Sequence, residues 1–128
     1  MAETIQLVGN INVQTGRAGD AGANYFLSLA ALTCTVVEGP IQLSLASGAN
    51  AQTLPISPVQ FIYLKNSHAT QTIQVTLTPT GGVSAIVQTL RPNDWIIFST
   101  SAGSGSGFTA LSLTASGAAT TGEMILGG

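Results

Sequence analysis

Apolar and polar residues alternate with a period of two along much of the chain, the pattern of strands with one face buried. Near the start, Ile5, Leu7, Ile11 and Val13 hold one parity, and Gln6, Asn10, Asn12 and Gln14 hold the other. Gly9 interrupts this run and marks a bulge. Thr15–Asn24, with Gly16, Gly19 and Gly22, reads as a mobile loop; it is too short and too poor in proline for a collagen tract. Tyr25–Val37 is apolar and β-branched toward its end, which predicts one long buried strand. The alternative is a short helix over Leu27–Leu32, because Leu and Ala favour helices. Glu38-Gly39-Pro40 is a turn, Ile41, Leu43 and Leu45 alternate with Gln42 and Ser44, and Ser47–Pro58 is read as a loop.

The second half is clearer. Val59–Leu64 is apolar on both parities except at Gln60, as in a strand covered on both faces. Asn66–Ala69 has turn chemistry. Ile73, Val75 and Leu77 alternate with Thr72, Gln74 and Thr76, and Val83, Ala85 and Val87 continue the alternation after a turn at Pro79–Gly82. Arg91-Pro92-Asn93-Asp94 puts proline where its fixed φ suits a turn. Trp95–Phe98 and Phe108–Ala115 are strands around a Gly/Ser loop, Ser99–Gly107. After the small residues Ser116–Thr121 comes Met124-Ile125-Leu126, either the last strand of the domain or an arm that adds to a neighbour's sheet. The expectation is a single all-β domain over residues 1–128, an antiparallel β-sandwich, jelly-roll-like, with residues 1–8 and 116–128 as candidate terminal arms.

Charge changes the picture. Only Glu3, Arg17, Asp20, Glu38, Lys65, Arg91, Asp94 and Glu123 are charged, eight of 128 residues. About a quarter is usual. Area scaling gives a monomer of this mass roughly 6,300 Å² of accessible surface, so about one charge per 800 Å². Such a surface is built from uncharged polar and small groups, or is covered by neighbours, and it resists self-association poorly. Three basic residues cannot neutralise many phosphates, so no nucleic-acid partner is expected, and a polybasic membrane patch is excluded. The N-terminal residues lack a basic leader and a long apolar run, so no secretion signal is expected. The most apolar segment, Tyr25–Val37, is too short to cross a bilayer as a helix.

Candidate chemistry is sparse. His68 is the lone histidine and sits in a turn, so a Ser/His/Asp triad is not expected. One cysteine, Cys34, excludes an intrachain disulfide and, with one histidine, argues against zinc; it reads as a small core residue. Asp20 and Asn24 do not have the spacing of a calcium loop. Gly103, Gly105 and Gly107 precede a strand rather than a helix, so they mark a hairpin tip rather than a phosphate cradle. Trp95, Tyr25, Tyr63 and the Phe residues are candidates for a sugar platform, but Trp95 and Ile97 fit core filling better. Arg91 and Asp94 are placed to pair across their turn. No enzyme activity, cofactor or metal is expected.

Val59–Ser99 runs from an apolar strand ending in Leu64-Lys65-Asn66, through a polar turn, an alternating strand and a Gly81-Gly82 turn, to Leu90-x-Pro92-x-Asp94 and an aromatic-apolar strand. This series resembles small β-sandwich structural proteins of tailed bacteriophage virions, such as capsid decoration proteins. The resemblance implies a symmetric multimer, a trimer by analogy, bound to the major capsid protein or other virion subunits. It also implies synthesis in the host cytoplasm and residence in the virion, where the chain bridges subunits and stabilises the particle. The candidate contact residues are Glu3, Thr4, Ile5 and Leu7 at one end of the chain and Met124, Ile125 and Leu126 at the other. Ser101, Gly103, Gly105 and Gly107 add a loop. The rival readings are a carbohydrate- or receptor-binding module at a tail tip and a subunit of a self-assembling extracellular filament.

Overall fold

Ile73, Val75 and Leu77 are buried while Gln74 between them is exposed, so the alternation read in the sequence becomes a strand with one face in a core. The computed structural model describes residues 3–6, 8–13, 23–28, 32–34, 36–54, 56–100 and 107–128. Its strands are β1 (Glu3–Ile5), β2 (Val8–Val13), β3 (Ala23–Ser28), β4 (Leu32–Cys34), β5 (Val37–Leu45), β6 (Gly48–Gln52), β7 (Phe61–Asn66), β8 (Ile73–Pro79), β9 (Ile86–Leu90), β10 (Trp95–Ser99), β11 (Phe108–Ala115) and β12 (Thr120–Gly127). A 3₁₀ turn at Thr80–Gly82 is the one helical element among the described residues.

Two antiparallel four-stranded sheets form a β-sandwich, one ordered β10-β7-β12-β5 and the other β9-β8-β11-β6. Two further pairs, β1 with β4 and β2 with β3, join neither sheet. Strands β5 to β12 pair as one long ribbon folded on itself: β5 with β12, β6 with β11, β7 with β10, β8 with β9. Rolling that ribbon brings β7 beside β12 and β8 beside β11, which closes the two sheets.

The core lies between the sheets. Ile62, Leu64, Met124 and Leu126 from one meet Ile73, Val75, Leu111 and Leu113 from the other, all essentially inaccessible. Each such side chain contributes roughly 1.5–3 kcal/mol relative to exposure. Phe98 of β10 meets Phe108 of β11 edge to face, with centroids 6.0 Å apart.

At one end of the sandwich, buried Asn66 ties the connections together. Its Nδ2 donates to the carbonyls of Gln71 (2.7 Å) and Leu90 (3.1 Å), and its Oδ1 accepts from the His68 N–H (3.0 Å). Its own N–H donates to the Asp94 carbonyl, and its carbonyl accepts from the Asn93 N–H, each at 2.9 Å. Nearby, buried Thr120 bonds the Gln71 side-chain amide and donates to the Gly117 carbonyl at 2.8 Å.

Several expectations need correction. The run read as one strand over Tyr25–Val37 holds the end of β3, all of β4 and the first residue of β5, with Leu27 in β3 rather than in a helix. Residues 48–52, read as loop, form β6, because β11 offers them a ladder. Gly9 pairs with Leu27 in unbroken register, without a bulge. Of the two readings of Met124–Leu126, last strand or arm, the pairing matches the strand: β12 is an inner strand paired on both sides. The glycines at 16, 19 and 22 and the residues Asp20, Leu7, Ser101, Gly103 and Gly105 lie outside the described residues.

Candidate functional site

Two surfaces stand out, and the first follows from strand parity. The residues of β7, β10 and β12 that alternate with the core lie on the outer face of their sheet, with Phe61, Tyr63, Ile97 and Ile125 toward one end and Lys65, Trp95 and Glu123 toward the other. The first of these ends is therefore apolar as well. Part of it is covered by β1 and β4, where Ile5 and buried Cys34 pack with Phe61. The layer sits close: a Cβ on Gly127 would lie 2.6 Å from Ile5 Cδ1 and 3.0 Å from Cys34 Sγ, so a larger residue there would push the Ile5 tip aside. The Val37 N–H donates to the Glu3 carboxylate at 2.6 Å and pins β1 against the start of β5.

The cover is incomplete. It leaves an apolar groove of about 500 Å³ with Ile5 and Gln6 on its wall and Phe61, Tyr63, Ile97 and Ile125 among its floor residues. That volume falls within the range of small-molecule sites, roughly 300–1,000 Å³. Its chemistry is limited. The Tyr63 hydroxyl donates to Glu123 Oε1 at 3.0 Å. Burial, that hydrogen bond and the Glu123 charge all push the phenol above its usual range, so it stays protonated. Cys34 is 1% exposed, and burial followed by the Glu3 charge raises its thiol, which keeps it unreactive. The groove can hold apolar matter, and its described lining residues include no His, Asp or Glu. No group of three or more His, Cys, Asp or Glu among the described residues is arranged to hold a metal. No helix among them is long and apolar enough to cross a membrane.

The second surface is the side where both sheets end in β9 and β10, which the Arg91–Asp94 turn connects. Val83, Ile86, Val87 and Trp95 are 64%, 43%, 54% and 60% exposed there. Trp95 is thus not the core residue its neighbours suggested. It shares the parity of Ile97 and lies on the outer face, opposite Lys65 in the ladder. Sequence reasoning missed this surface, although the signal existed: residues 66–90 contain no Asp, Glu, Lys or Arg.

The expected contact residues scatter. Glu3 and Thr4 are exposed on β1, and Ile5 is half-buried against the Cys34–Phe61 cluster. Ile125 faces the groove, whereas Met124 and Leu126 are locked in the core and unavailable to a neighbour, because their parity points between the sheets. Gly107 is buried with φ +140°, and a Cβ there would strike the Val59 carbonyl. Its role is to let β11 start beside Val59, through reciprocal Val59–Phe108 backbone bonds of 2.9 Å.

His68 and the Arg91/Asp94 pair serve their turns. His68 Nδ1 accepts from the Thr70 and Gln71 N–H groups at 3.1 and 3.0 Å, which puts the imidazole proton on Nε2. Asp94 Oδ2 accepts from the Arg91 N–H at 2.9 Å and lies 3.7 Å from the guanidinium, an exposed contact that holds the turn.

No protein-family model, curated protein or solved structure matches the chain.

Proposed function

We propose that the chain is a virion structural protein, a decoration or cement subunit that binds the major capsid protein or other virion subunits and stabilises the particle by bridging them. The observation that carries the reading is the winding of β5 to β12 as a rolled ribbon, first strand with eighth, second with seventh, third with sixth, fourth with fifth. That order supports a jelly roll, an architecture used by viral shell proteins and by lectins. Fold alone does not choose between them. The surface favours the shell: the chain exposes 7415 Å² with eight charged residues, so a neighbour can cover it without stripping water from many ions. Weak contacts repeated around a shell add up through multivalency.

Electron microscopy of purified particles, with and without the chain, tests the reading. The expected result is one ordered copy of the sandwich at each repeat of the shell and particles less resistant to heat when it is missing. Shells that bind none of the added chain overturn it.

A second reading draws on Trp95. An exposed indole on a sheet face, beside Lys65 in the ladder, is a platform on which a sugar ring can stack. A glycan array giving binding that Trp95→Ala abolishes favours a carbohydrate-binding module; a blank array removes it.

A further inference from the structure

We propose that β1 is a detachable strap. Latched by Glu3, it lifts off the outer face of the β10-β7-β12-β5 sheet while the sandwich stays folded. Lifting uncovers Cys34 and joins the covered apolar floor to the groove beside it. The proposal goes beyond the subunit reading and does not depend on it.

The grip of β1 is small. It is three residues long and pairs with β4 alone among the described strands, in the register Glu3–Cys34, Thr4–Thr33 and Ile5–Leu32. Glu3 and Thr4 are exposed, so the half-buried Ile5 is the apolar side chain by which β1 holds the sheet. By contrast β12 has eight residues, a ladder on each side, and Met124 and Leu126 in the core. Local opening is easiest where few apolar side chains are buried and the backbone bonds are few and near water. These conditions describe β1 and not β12.

The neighbouring β4 is anchored where β1 is not. Two residues on from Cys34, the Val36 N–H donates to the Gly128 carbonyl and the Val36 carbonyl accepts from the Gly128 N–H, each at 3.0 Å. The chain then enters β5 at Val37, which pairs with Gly127. The separation therefore falls along the β1–β4 ladder. One side chain bridges that line directly to the sheet: the Glu3 carboxylate, which accepts from the Val37 N–H at 2.6 Å. A bond to an ionised acceptor is stronger than a neutral one, which makes it the latch.

Cys34 registers the state of the strap. Its thiol is 1% exposed, Glu3 is its partner in the ladder, and Ile5 sits beside it over Gly127. Lifting β1 takes both neighbours away from the sulfur. It also removes Ile5 from the wall of the groove, whose floor at Phe61, Tyr63, Ile97 and Ile125 then runs on without a break to Cys34.

The test uses the whole chain, in which Cys34 is the sole cysteine. The thiol is modified with a maleimide at neutral pH over a series of urea concentrations below the unfolding transition. Modification should be slower than that of a small free thiol, and its rate should hardly change with urea, because lifting three residues exposes little surface. Glu3→Ala should speed it about threefold or more. Glu3→Gln keeps an oxygen acceptor for the Val37 N–H and should stay nearer the wild-type rate. Asn66→Ala, at the far end of β7 from Phe61, should leave the rate unchanged even as it lowers global stability. A rate that climbs with urea as steeply as global unfolding overturns the strap, and so does one that rises in Asn66→Ala in proportion to the stability lost. In either case the thiol is uncovered only when the sandwich itself opens. A Glu3→Ala rate equal to that of wild type overturns it too, because the latch of β1 then guards nothing. If Glu3→Ala does not fold, the urea series on wild type decides.

Discussion

The Asn66 side chain holds the Leu90 carbonyl at 3.1 Å, so the end of β7 is fastened to the end of β9 in the opposite sheet. All of the hydrogen-bonding groups of Asn66 are used, in a site with no access to water. Asn66→Ala leaves the Gln71 and Leu90 carbonyls and the His68 N–H short of a partner. The expected loss is about 2–4 kcal/mol of unfolding free energy, read by urea denaturation. Asn66→Asp should fall at least as far, because a carboxylate can donate to neither carbonyl. A loss under about 0.5 kcal/mol would show that the tether is dispensable.

Alkaline pH should weaken the fold in two stages. The Cys34 thiol is raised by burial and then by the Glu3 charge; the Tyr63 phenol is raised by burial, its bond to Glu123 and the Glu123 charge. A raised folded pKa means that the folded state holds its proton more tightly than the unfolded chain. The associated stability is therefore complete below the unfolded pKa and is lost as pH rises through the folded one. The loss starts near 9.0 for the thiol and near 10.0 for the phenol. Melting temperature against pH should show both stages, Cys34→Ala should remove the earlier one and Tyr63→Phe the later. A wild-type curve with no decline above pH 9.0 contradicts both assignments.

Gly107→Ala tests the start of β11. The new Cβ meets the Val59 carbonyl, and φ +140° is strained for alanine whatever the space. The expected cost exceeds about 2 kcal/mol. Thermal melts should show it in the isolated chain. An alanine variant as stable as wild type would mean that the glycine is kept for contact with a neighbour.

Deletion of Met124–Leu126 separates a strand from an arm. Because β12 lies between β5 and β7 and buries Met124 and Leu126, the shortened chain should lose its cooperative transition and its strand signal in circular dichroism. A deletion variant that melts like wild type would show that β12 is not needed to close the sheet.

Much of this fold was legible in the alternation. The core parity of β8 and β11 can be read from Ile73, Val75 and Leu77 and from Leu111 and Leu113. Other features depend on partners distant in sequence. Gly48-Ala49-Asn50-Ala51-Gln52 has no β-branched residue, and it is a strand because β11 presents a ladder. Met124 and Leu126 look the same as an arm or as a core strand; pairing with β7 makes them core. Trp95 was misplaced because β10 is apolar on both parities, which hides which face is covered. The β9–β10 side went unnoticed for a related reason: exposed valine and isoleucine read as core until a sheet order assigns them to its rim.

The rolled pairing also dictates how the molecule acquires its shape. The β8–β9 hairpin can form as soon as its short stretch exists, but β5 must wait for β12, some eighty residues later in synthesis. Assembly should therefore zip outward from that central hairpin and end with the closure of β5 on β12, a slow step governed by long-range loop entropy. Until then β5 carries its apolar parity unpartnered in the cell, so chaperone capture should be greatest on nascent chains that have not yet reached Thr120.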